Sequence, residues 1–124
     1  MRKVKFRGRD FAGLWHIGDL IHNDDDLLIR NGCLSTYIEN ETAGQFTGIT
    51  DKNGTEIYEG DIIIEKLRRA RKDGERLVIC FDDFEWQGKN ANGATTSLSL
   101  LFEYHTVEVI GNMYDNVELL LQCE

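Results

Sequence analysis

Residues 46–64 read FTGITDKNGTEIYEGDIII. Two apolar arms and two glycine turns fall within this one stretch. Phe46, Thr47 and Ile49 make a first arm, with Gly48 between them. Asp51-Lys52-Asn53-Gly54 supplies a turn, because Asn and Gly both tolerate positive φ between hairpin arms. The loop is either the two residues Asn53-Gly54 or a longer bulged one. Ile57 and Tyr58 form the second arm, and Glu59-Gly60-Asp61 turns the chain again. Ile62-Ile63-Ile64 is too apolar for simple alternation and predicts a strand covered on both faces.

Outward from this stretch the pattern stays short and strand-like. Residues 2–7 alternate charge with Val4 and Phe6, which predicts a half-buried strand. Gly8, Asp10 and Gly13 mark a turn, and 14–20 a second strand. His22 to Asp26 is a solvated turn, 27–29 a short apolar run ended by Asn31-Gly32, and 34–38 another strand. Residues 40–44 read as polar linker. On the other side, 61–81 reads as a long hairpin with a charged tip, KLRRARKDGER at 66–76. A short helix over 65–72 is the competing reading, since Lys, Leu, Arg and Ala are good helix formers. Residues 87–94 read as flexible by composition. Residues 95–101 alternate Thr and Ser with apolar residues and read as a strand that 102–104 extend. Residues 106–110 are a strand by propensity, and Gly111-Asn112 is expected to turn the chain. Asp115 or Asn116 is placed to cap a short helix over 117–121.

The chain has 124 residues, and 41% of them are hydrophobic. That is one domain by ordinary priors, long enough for a core without a metal or disulfide staple. Within it, 1–44 reads as N-terminal strands and loops and 45–124 as a β core with a variable middle at 66–101. Lys and Arg number 14 against 22 Asp and Glu, giving a net charge of -8. Such a balance disfavours non-specific contact with nucleic acid or acidic lipid. No stretch is long and apolar enough to span a bilayer, and the basic N-terminus is followed by no signal-length apolar run. A cytoplasmic protein with no membrane partner is expected. Cys33, Cys80 and Cys123 are odd in number and widely spaced, which argues against a disulfide framework. Cys80, inside LVICF, reads as a buried thiol.

The matches at 45–63 are Phe46-Thr47-Gly48, Asp51-Lys52-Asn53-Gly54 and Glu56-Ile57-Tyr58-Glu59-Gly60-Asp61. These resemble the signature of the YopX-like family of phage and prophage proteins. Residues 1–7 resemble that family's start and VEVIGNMYDNVELL, 107–120, its end. The family commonly has proline where Val117 stands, a departure of small consequence at the first helical turn. The resemblance implies a mostly β domain of viral or prophage origin and supplies no catalytic residues. Its turn signature maps onto Gly48, Asp51, Asn53, Gly54, Gly60, Asp61, Gly111 and Asn112.

Chemistry is sparse. Asp51, Glu56, Glu59 and Asp61 could gather a divalent cation, but their spacing suits no EF-hand loop. Asp more often bonds the N–H groups of its own turn. Contiguous Asp24-Asp25-Asp26 beside His22 would point apart in an extended segment. His16, His22 and His105 with the three cysteines show zinc-ligand types without zinc-ligand spacing. No nucleophile elbow, HExxH helix, phosphate loop or dinucleotide fingerprint is present, so neither an enzyme nor a cofactor is expected. Arg68, Arg69, Arg71, Lys72 and Arg76 could contact nucleic acid from a hairpin tip. Asp82-Asp83 beside the returning strand opposes that reading. The leading expectation is a mainly β, small antiparallel sheet or SH3-like, partly open barrel built on 46–81 and 105–110. It has long hairpins and at most short helical turns. It would act as a non-enzymatic interaction module that pairs through β edges with itself or with a phage or host protein.

Overall fold

Hydrogen-bonded ladders claim nearly every segment that the sequence marks as apolar and alternating. A computed structural model describes residues 4–66 and 73–121 and divides into two units, Met1–Gly48 and Ile49–Glu124. The chain is mainly β, in two antiparallel sheets with short helices. The strand order of each sheet is open, and neither closes into a barrel.

In the first unit, β1 (Phe6–Arg9), β2 (Trp15–Asn23), β3 (Asp26–Asn31) and β4 (Leu34–Ile38) pair in sequence. Then β5 (Gly44–Thr50) returns beside β1. Register sets Leu20, Ile29 and Thr36 side by side, with His22, Leu27 and Ile38 next along the same face. Ile29 and Ile38 on that face are buried. Gly8 lets Ile38 cross β1, since a Cβ there would lie 2.1 Å from Ile38 Cδ1. The end of β4 is tied to β1 by an Asp10–Ile38 bridge and by Glu39 N donating to Arg9 O at 2.8 Å. The expected polar linker at 40–44 is a 3₁₀ turn, Asn40–Thr42, joined to the start of β5. Thr42 is fully buried because its hydroxyl accepts from Arg9 N and donates to Glu39 O. The first strand begins later than expected, and Val4 is 60% exposed.

The second unit contains β6 (Glu56–Tyr58), β7 (Asp61–Lys66), β8 (Asp73–Asp82), β9 (Glu85–Lys89), β10 (Thr95–Ser97) and β11 (Thr106–Asn112). Its five-stranded sheet runs β10-β9-β8-β7-β11. Ile63 pairs with Leu77 on one side and Val109 on the other, and all three project toward the main core. Ile57, Ile79, Leu98, Leu101 and Val107 complete that core. Ile62 and Ile64 project from the opposite face and are buried too. The triple isoleucine is therefore covered on both faces, as its continuous apolar run required.

Three expectations fail here for local reasons. Residues 98–104 are a helix, α1 (Leu98–Tyr104), and only 95–97 are strand. Leu98, Leu101 and Phe102 share one helical face, and the first two are buried while Leu100 is 49% exposed. Residues 87–89 are not flexible but paired in β9, where Gly88 makes room for Leu77. Gly111 and Asn112 do not turn the chain. They pair with Ile62 and Asp61 after a bulge, and the turn follows at 113–115. Gly111 is small because a Cβ would sit 2.6 Å from Asn116 Oδ1. That oxygen accepts from Asn112 N rather than capping α2 (Glu118–Leu121).

One turn is built three times. Asp10, Asp51 and Asn90 each use Oδ1 to accept the N–H groups two and four residues on, at 2.8–3.0 Å. Each is followed three residues later by a glycine at positive φ, Gly13, Gly54 and Gly93. The loop at 51–55 is thus the longer, bulged alternative. Asp51 has a further partner: Oδ2 accepts from Val109 N at 2.9 Å, and Lys52 N donates to Val107 O at 3.2 Å. The signature turn thereby covers the outer edge of β11. Burial pushes the Asp51 carboxyl up, yet the N–H groups of Val109, Thr55 and Asn53 outweigh it and hold the group below its ordinary value of 3.8.

Asp51→Asn keeps the shape but turns an NH₂ toward at least one backbone donor. It is expected to lower stability by about 1–3 kcal/mol in urea unfolding at pH 7. The folded carboxyl is the more acidic form, so its contribution is full above the ordinary value and is lost as pH falls through the folded one. The gap between wild type and Asp51→Asn should accordingly narrow with acid. A gap independent of pH would contradict the assignment. A second expectation concerns the loop between β8 and β9, Asp83-Phe84, where both residues have positive φ. Phe84→Gly should raise stability by about 1 kcal/mol, since a bulky side chain is strained there.

Candidate functional site

The polar residues of the signature are occupied in building turns. Asp61 is 2% exposed and accepts from Tyr58 N at 2.7 Å, closing the turn through Glu59 and Gly60. Gly60 has φ 91 and lies against the Tyr114 ring, while its N–H donates to Ile79 O at 2.8 Å. Gly48 has φ 88 within β5 and Gly54 φ 83 in the loop. Asn53 Nδ2 donates to Glu108 Oε2 at 3.4 Å. Asn112 Oδ1 accepts from Tyr114 N and Asp115 N at 2.9 Å. Glu56 Oε1 accepts from the Tyr58 hydroxyl. Thus the four carboxylates 51, 56, 59 and 61 are not brought to one point. Among the described residues, no three His, Cys, Asp or Glu side chains lie close enough to hold a metal.

Arg68, Arg69, Arg71 and Lys72 lie outside the described residues, as does most of the competing helix over 65–72. Lys66 ends β7 as a strand residue. Arg76 lies on β8, where Nη1 donates to Leu119 O at 2.9 Å and so ties α2 to the sheet. His22 and the three aspartates 24–26 stand at the exposed β2–β3 turn. His16 Nε2 lies 2.8 Å from Asp10 Oδ2. That contact and the Leu14 N–H are the main causes that hold the Asp10 carboxyl below its ordinary value. Cys33 is exposed; Cys80 is half-buried rather than enclosed, and burial pushes its thiol up.

Two arrangements went unread in the sequence. The first is a cavity of about 290 Å³ between α1 and the start of β8, lined by Glu65, Glu75, Leu77, Leu101 and His105 among others. His105 Nε2 lies 3.3 Å from Glu65 Oε1, and Asn90 Nδ2 donates to Glu75 Oε2 at 2.9 Å. His105 Nδ1 is buried with no hydrogen-bond partner. Two carboxylates over a leucine floor favour a small cationic group. Only pairing register assembles them, so no sequence spacing could have shown it.

The second is a surface. Ile21, Leu28 and Tyr37 are cross-strand neighbours on the face of β2–β4 opposite Ile29 and Ile38. Ile17 lies on the same face of β2 beyond Asp19, which pairs with Arg30. Ile17 is 43% and Tyr37 49% exposed, and Ile21 and Leu28 are half-buried. Trp15 and Arg7 adjoin them on that face, with the Arg7 guanidinium 4.8 Å from the centre of the Trp15 ring. The signal was available in part, because β2 and β3 hold apolar residues at both odd and even positions.

No helix among the described residues is long and apolar enough to cross a membrane. The family model described as YopX protein matches residues 10–121. No curated protein matches the chain. Among solved structures, it is similar to protein YopX of Bacillus subtilis, at 24% identity over 100% of both chains, with a TM-score of 0.65. It is also similar to protein EF1440 of Enterococcus faecalis, at 22% identity over 97% of this chain and 99% of that one, with a TM-score of 0.57. With the family model covering residues 10–121, the chain belongs to the YopX family.

Proposed function

We propose that this protein is a non-enzymatic accessory module of phage or prophage origin that works by binding protein partners, a second copy of itself among them. The observation behind this reading is the row Ile17, Ile21, Leu28 and Tyr37 on the outer face of β2–β4. An antiparallel sheet that buries one face ordinarily presents polar residues on the other. This one keeps aliphatic and aromatic side chains there around the polar Asp19, Arg30 and Ser35, a mixed surface of the kind that protein partners cover. The strand β4 adds an edge. Every second residue of an edge strand turns its N–H and C=O away from its neighbour. Leu34 at its start is 68% exposed. Asp51 and Asp61 of the signature, by contrast, are engaged by backbone donors, which supports a role without catalysis.

The test is mass in solution across a wide concentration range. The wild-type chain should grow beyond one copy as concentration rises. Ile17→Lys with Tyr37→Lys should hold it at one copy, with stability changed by no more than about 0.5 kcal/mol per site because both side chains face solvent. A wild-type chain that stays monomeric throughout removes self-association from the proposal.

A further inference from the structure

The dipeptide Asn-Gly occurs at Asn31-Gly32, Asn53-Gly54 and Asn92-Gly93. Glycine has no side chain to shield its own nitrogen, so that nitrogen can reach the amide carbon of the asparagine before it. The second and third of these dipeptides are held away from such contact. Gly54 N donates to Asp51 O and Gly93 N to Asn90 O, both at 3.0 Å. Asn53 N and Asn92 N donate in turn to Asp51 Oδ1 and Asn90 Oδ1, at 2.8 and 2.9 Å. The first dipeptide stands in a different kind of loop. Asn31 pairs with Leu34 as the last rung of β3–β4, and only Gly32 and Cys33 lie between them. The ladder bonds end at that rung, so neither the Gly32 N–H nor the Asn31 side-chain amide has a partner among the described residues. Residues 31–34 are all exposed.

We infer that Asn31 is a site of spontaneous deamidation and that the fold protects Asn53 and Asn92 from the same reaction. Gly32 N gives its proton to water and bonds to Asn31 Cγ. The Cγ–Nδ2 bond breaks, ammonia takes up a proton and leaves, and a succinimide ring remains. Water opens the ring at either carbonyl, giving aspartate or isoaspartate, so water is the only co-reactant. Ring closure requires the asparagine backbone to leave its folded ψ. At Asn31 that motion frees one rung at the end of a ladder. At Asn53 and Asn92 it must undo a turn closed by both the backbone and the side chain of its first residue. Either product adds a negative charge next to Arg30, and isoaspartate also inserts a backbone carbon where Asn31 pairs with Leu34. The inference stands whether or not the outer face of β2–β4 binds a partner.

The experiment incubates the full chain at mildly alkaline pH, folded in one sample and unfolded in guanidinium chloride in another. Both are then cut with trypsin and read by mass spectrometry. The Lys and Arg positions put the three dipeptides in separate peptides, 31–52, 53–66 and 90–124. Fragment ions separate Asn31 from Asn40 in the first. In the folded chain, Asn31 should gain the mass of amide-to-acid conversion about tenfold faster than Asn53 or Asn92, the factor that one net hydrogen bond imposes on local opening. In the unfolded sample the three should convert at similar rates, since each is followed by glycine. Methylation by an isoaspartyl methyltransferase should label peptide 31–52 of the folded sample ahead of the other two. The inference is overturned if Asn31 of the folded chain converts no faster than Asn53 or Asn92. It also fails if Asn31 stays intact in the folded chain while the unfolded sample converts.

Discussion

The Asp51 side chain is the contact on which the second unit most depends. One oxygen closes the 51–55 turn and the other holds Val109 in β11. The strand so held is the edge strand that pairs with β7. A single carboxylate thus fixes a local turn and a contact with a residue 58 positions away. Asparagine can close such a turn, as Asn90 does, but its second atom is a donor. Asn90 accordingly gives its Nδ2 to Glu75, while Asp51 accepts from an N–H. The chemistry of the leftover atom decides which of the two residues the site accepts.

The same logic explains why the signature is polar and yet chemically inert. Asp61 satisfies Tyr58 N, Asn112 satisfies the turn after β11, and Asn116 satisfies Asn112 N. A buried backbone N–H left unpaired costs about 1–3 kcal/mol. The Tyr58 N–H is buried, so water cannot replace Asp61 there at little cost. Gly60 and Gly111 serve the same packing, one under Tyr114 and the other beside Asn116.

Much of this was legible in residues. The hairpin at 51–54, the strand at 34–38 and the doubly buried run at 62–64 follow from turn chemistry and period. What was not legible has identifiable causes. Residues 95–104 contain both patterns: Thr and Ser alternate with apolar residues up to Leu100, while Leu98, Leu101 and Phe102 follow helical spacing. The sheet settles the conflict, because burying Leu98 with Leu101 needs the helix. Gln87-Gly88 looks like loop by composition, yet Gly88 is there to admit Leu77. Gly111 reads as a turn glycine because sequence does not distinguish a need for positive φ from a need for space. The turn recurring at Asp10, Asp51 and Asn90 escapes a search for repeats because it is only five residues long. The cavity beside His105 depends wholly on register.

The division between the occupied and the exposed residues bears on how a family of this kind can vary. Where a side chain closes a turn and clamps a strand, substitution disturbs the core, so the residue types are fixed by folding. At Phe84 no such tie is present, and it stands in a backbone conformation that another residue would occupy with less strain. Folding alone gives no reason for phenylalanine at that loop. A residue that weakens its own turn and touches nothing in the core is the kind whose identity is set by something outside the chain. The physical grounds for placing recognition at such positions, and not at the signature, are the same hydrogen bonds that make the signature rigid.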